Sequence, residues 1–99
     1  MLRSVDEFGL ISKYFEPLTN ADVGALELRD DAALVKHKRG CEIVITCDAL
    51  VCGVHFRHED KAEDVAARAL RVNLSDLAAM GASPVSYLLS LALPADLTE

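Results

Sequence analysis

Ninety-nine residues, 52% of them hydrophobic, are enough for one compact domain and too few for two. Ten Lys and Arg against sixteen Asp and Glu leave a net charge of −6, which argues against nucleic acid as a partner. No apolar run approaches the roughly 18 residues of a membrane span, and the start Val5-Asp6-Glu7 turns acidic where a secretory signal turns apolar, so a cytoplasmic protein with no membrane partner is expected.

Val5, Phe8, Ile11, Phe15 and Leu18 recur at steps of three and four, which predicts an amphipathic helix over residues 5 to 18. Ser4 is its expected N-cap, with Glu7 completing a capping box, and Pro17 is expected to break it before the polar loop 19–24. Residues 25 to 37 read as a strand interrupted by Arg29-Asp30-Asp31, acids that fit either a bulge or turn in solvent or a functional site. Residues 42 to 48 read as the clearest strand, with Ile43, Ile45 and Cys47 on one face and Val44, Thr46 and Asp48 on the other. A hydroxyl and a carboxylate therefore meet at its end. The apolar run continues to Phe56, and Gly53 permits a bend before His55. The three cysteines, Cys41, Cys47 and Cys52, lack the short knuckle spacing of a structural zinc site and are expected to be reduced, small strand residues.

A long helix is predicted over residues 62 to 81, with Glu63 and Asp64 at its positive end, Arg68, Arg71 and Ser75 as a narrow polar stripe, and Gly81 as its stop. Apolar residues fill most of its circumference, so it is expected to be buried on several sides. Asp76 would then need a hydrogen-bond partner or a cation, unless Ser75 and Asp76 cap a separate following helix. Residues 85 to 93 alternate large apolar with small side chains and read as a last strand. The expected fold is therefore α+β, a two-layer α/β arrangement with helices on one face of a mixed sheet. Asp30, Asp31, Asp48 and Asp76 each sit at the edge of an apolar element, and a cluster of them would require a hard cation such as magnesium to offset their repulsion.

Glu7-Phe8-Gly9-Leu10-Ile11 with Tyr14-Phe15, then Asp30-Asp31-Ala32-Ala33, Thr46-Cys47-Asp48-Ala49-Leu50-Val51, Gly53-Val54-His55-Phe56, Asn73 to Ala82 and Leu91-Ala92-Leu93-Pro94 follow one another along the chain. In that order they resemble the amino-terminal part of the thiamine-monophosphate kinase family, within the aminoimidazole-ribonucleotide synthetase superfamily. The resemblance implies an amino-terminal ATP- and magnesium-binding domain over residues 1–99 that pairs through its sheet with a second copy, the carboxy-terminal domain lying outside the 99 residues. It implies transfer of the γ-phosphoryl group of ATP to thiamine monophosphate, with the 99 residues inactive alone. Asp31, Thr46, Cys47, Asp48 and Asp76 are implied magnesium ligands and His55 a contact to thiamine monophosphate. No side-chain nucleophile is implied, because the acceptor is itself a phosphate oxygen. Arg29 stands where the family has Gly, and Cys47 where it has a hydroxyl residue; by strand alternation Cys47 points away from Thr46, so a ligand there would be its backbone carbonyl. Sister functions with the same fold are selenophosphate synthetase-like or hydrogenase-maturation-like ATP use, and the alternative outside enzymes is a non-catalytic dimerisation module.

Overall fold

The computed structural model describes residues 6–94, which fall into two compact units, one of residues 6–38 with 88–94 and one of residues 39–87.

In the first unit the helical signal is honoured by three successive helix types rather than one helix. Helix α1 (Glu7–Leu10) passes into a π-helical turn (Ile11–Phe15) and a 3-10 turn (Glu16–Thr19). Asp6 is the N-cap, its carboxylate accepting the Gly9 N–H at 2.6 Å; the expected cap Ser4 lies outside the described residues. Pro17 does not end the run. It sits in the first turn of the 3-10 segment, where its missing N–H costs nothing, and Asn20 closes the segment in a left-handed conformation with φ 50°. Asp22 then caps a second 3-10 segment (Val23–Leu28) by accepting the Gly24 N–H at 2.7 Å.

That segment occupies the place of the first expected strand. Leu26, Glu27 and Leu28 all have φ between 53° and 56°, a conformation that costs a residue with a side chain roughly 1 to 2 kcal/mol. Gly24 permits the chain to fold back on itself: its carbonyl accepts the Leu34 N–H at 2.7 Å, and a Cβ at Gly24 would collide with the Leu34 carbonyl oxygen.

In the second unit the long helix forms close to its expected bounds as α2 (Ala62–Ala79), with Glu63 and Asp64 in its first turn. Its end is a Schellman motif: the Gly81 N–H reaches the Ala78 carbonyl at 3.0 Å and the Ala82 N–H reaches Leu77 at 2.9 Å, with Gly81 at φ 66°. The helix is not buried on several sides. No residue in it is buried, and Leu70 is 48% exposed.

The expected sheet is absent among the described residues. The stretches 33–38, 41–51 and 83–94 carry no ladder, and the sole bridge joins Cys52 to Phe56 within a turn. The α+β expectation is therefore corrected to a helix-dominated chain. Alternation of large and small side chains says which face a residue would take, but a strand exists only where a second segment accepts its N–H groups. Large apolar side chains consequently stay at the surface, Leu88 at 89% exposure among them, and no buried core forms within the described residues. Cys41, Cys47 and Cys52 are exposed and lie on no strand ladder, so the reading of them as small strand residues is corrected. No helix of the described residues is long and apolar enough to cross a membrane.

Candidate functional site

Five of the six residues singled out from sequence, Thr46, Cys47, Asp48, His55 and Asp76, belong to the second unit; Asp31 belongs to the first. In the second unit the structure brings Thr46 onto α2. The Thr46 hydroxyl lies 3.3 Å from Asp76 Oδ2 and 3.5 Å from Asn73 Oδ1, and the Asn73 amide is itself tied to the Ala69 carbonyl at 2.8 Å. Asn73 was missed as a site residue, although its spacing of three from Asp76 puts both on one helix face.

Because α2 runs unbroken past Ser75 and Asp76, neither is the cap of a following helix. Asp76 is exposed, so burial does not demand its partner. Its position is mildly unfavourable: Asp76 stands in the last turn of α2, whose own carbonyl ends disfavour an anion, and no basic residue occupies that turn. A nearby positive charge would be favoured there, and the hydrogen bond that the structure does show to Asp76 comes from the Thr46 hydroxyl.

The donor set suits magnesium. Carboxylate and hydroxyl are hard oxygen ligands of the kind magnesium takes, and the 3.3 Å between Thr46 and Asp76 is a hydrogen-bond distance. Asp48 and Cys47 follow Thr46 on an exposed stretch, and among the described residues no three His, Cys, Asp or Glu side chains gather into a metal-holding group. Asp31 sits at a bend, where its N–H donates to the Asp30 carboxylate at 2.8 Å.

His55 stands in a tight turn. The Val51 carbonyl accepts the N–H groups of Val54 at 3.1 Å and His55 at 2.9 Å, the Gly53 N–H reaches the Phe56 carbonyl at 2.7 Å, and Gly53 takes φ 83°. The Val51 N–H donates to His55 Nδ1 at 2.9 Å. That bond requires Nδ1 to be unprotonated, which places the proton of the neutral ring on Nε2. The turn borders a cleft of about 300 Å³ lined by residues 53–57, Asp60 and Arg68.

Arg57 and Asp60 lock the next turn: the Arg57 N–H donates to Asp60 Oδ2 at 2.8 Å, and its guanidinium lies 3.3 Å from Oδ1. The Arg57 N–H is the main reason that the Asp60 carboxyl titrates below its usual value; desolvation opposes it, and the charges of Arg57 and Arg68 add to it. A lowered folded-state value means that the contribution is complete above the ordinary carboxylate pKa of ~3.9 and is lost as pH falls through the lower one. The Arg57 amide resonance is therefore expected to hold its position down to about pH 4 and to shift below it, together with the Asp60 carboxyl carbon. An Arg57 amide indifferent to Asp60 protonation would contradict this.

Residues 29–99 match the family described as AIR synthase related protein, N-terminal domain, and the chain belongs to that family. It is similar to thiamine-monophosphate kinases: 48% identical to that of Caulobacter vibrioides over 89% of this chain, 44% to that of Bacillus subtilis over 96%, and 43% to that of Escherichia coli K12 over 89%. The chain spans 25%, 30% and 27% of these relatives' lengths. No solved structure matches it.

Proposed function

We propose that the 99 residues are the amino-terminal part of a cytoplasmic, ATP-dependent kinase that converts thiamine monophosphate and ATP to thiamine diphosphate and ADP. Its main support is the likeness, at 43% to 48% identity over most of the chain, to relatives named thiamine-monophosphate kinase.

Two anionic phosphates must approach each other in this reaction, so alignment and charge neutralisation carry the catalysis. A bound magnesium would supply positive charge that offsets the repulsion among the phosphates and the protein carboxylates. Asp76 and Thr46 would hold it from α2 and the stretch before the turn, with Asp48 and the Cys47 carbonyl of the same unit as further ligands. His55 would donate its Nε2–H to thiamine monophosphate. Two copies pair in this reading, and the exposed Leu88, Leu89, Leu91 and Leu93 supply apolar surface suited to it.

The test is calorimetric titration of the complete enzyme with thiamine monophosphate and a non-hydrolysable ATP analogue. Both are expected to bind, the nucleotide only with magnesium. Nucleotide binding without thiamine monophosphate binding would overturn the assignment, and sedimentation of the same sample as a monomer would overturn the pairing.

A further inference from the structure

Arg68 reaches across from α2 to the one residue expected to meet thiamine monophosphate. Its Nη1 donates to the backbone carbonyl of His55 at 2.7 Å, and no other hydrogen bond joins the turn 51–57 to α2 among the described residues. The turn is otherwise closed on itself through Val51, Gly53 and Phe56, so its internal bonds fix its shape but not its direction relative to the helix. Asp60 borders the same cleft and is held by Arg57. The contact that fixes the Arg68 guanidinium in the structure is therefore the His55 carbonyl, a planar donor on a strong acceptor.

We infer that Arg68 is a positioning residue for substrate recognition, which aims the Nε2–H of His55 by holding its backbone carbonyl against α2. This rests on the reading of His55 as a contact to thiamine monophosphate. Arg68 itself touches no substrate in this account, and its effect passes through His55.

The experiment is a double-mutant cycle in the complete enzyme. Arg68→Ala is expected to raise KM for thiamine monophosphate by roughly tenfold, the scale of one misdirected charge-assisted contact, with KM for MgATP moving far less. In a His55→Ala background the same substitution is expected to add nothing to KM, and Arg68→Lys, which keeps one donor, is expected to recover part of the loss. Additive effects, or equal rises in both KM values, would overturn the inference and leave Arg68 a general structural residue. If His55→Ala leaves KM for thiamine monophosphate unchanged, the reading of His55 as a contact fails. Residual dipolar couplings then decide the positioning itself: Arg68→Ala must change the orientation of the Val54 and His55 amides relative to those of α2 while the Val51 bond to Nδ1 stays in place, and an unchanged orientation would sink it.

Discussion

Asp76→Asn in the complete enzyme is expected to lower kcat by about 10²- to 10³-fold, the scale seen when one preorganised electrostatic partner of a transition state is removed. Asn keeps the shape of the side chain and an oxygen that still accepts the Thr46 hydroxyl, now at 3.3 Å, so the local hydrogen bond survives. What is lost is one negative charge, and with it the hard, anionic ligand that Asp76 provides in the proposed reading. The same loss removes an anion from the last turn of α2, where no basic residue offsets it, so the helix should gain a few tenths of a kcal/mol up to about 1 kcal/mol. Thermal melting and magnesium titration of activity are therefore expected to move in opposite directions: equal or higher Tm, and a much higher magnesium requirement. Unchanged magnesium dependence would remove Asp76 from the ligand set.

Helix α2 and its stop were legible because every signal for them is local. Acids in the first turn, apolar spacing and a Gly able to take φ 66° act over a few residues, and the Schellman bonds need no distant partner. The strands failed for the opposite reason. Residues 42–48 alternate cleanly, yet alternation names no pairing partner, and the segment forms no ladder. Capping was legible in kind but not in place, since Asp6 and Ser4 are equally good acceptors and a shift of two residues in helix start decides between them. At the site, the approach of Thr46 to Asp76 spans thirty positions and could be expected only through the family resemblance. The tie from Arg68 to His55 joins a side chain to a backbone carbonyl, and carbonyls carry no sequence signature.

His55 makes two separable demands on its ring, and two substitutions divide them. Asn places an oxygen near the position of Nδ1 and can still accept the Val51 N–H, now at 2.9 Å, but offers no donor at the reach of Nε2. Gln extends a polar group toward the Nε2 position and leaves the Val51 N–H without its partner. If the ring serves thiamine monophosphate directly, His55→Asn is expected to raise KM for that substrate about tenfold or more while the Val51 amide keeps its protection from exchange. His55→Gln is expected to retain more of the affinity and to lose that protection. The reverse pattern, with Asn kinetically silent and Gln impaired, would make the ring a strut of the turn 51–57 and move substrate recognition elsewhere in the cleft. Discrimination of this size requires the Nε2–H to be buried against the substrate when it binds, because a donor that stays in water on both sides of the binding step contributes little to affinity. The half-open cleft beside Gly53, Arg57 and Arg68 leaves room for that burial, and the direction of the Nε2–H into it is what the Arg68 tie would set.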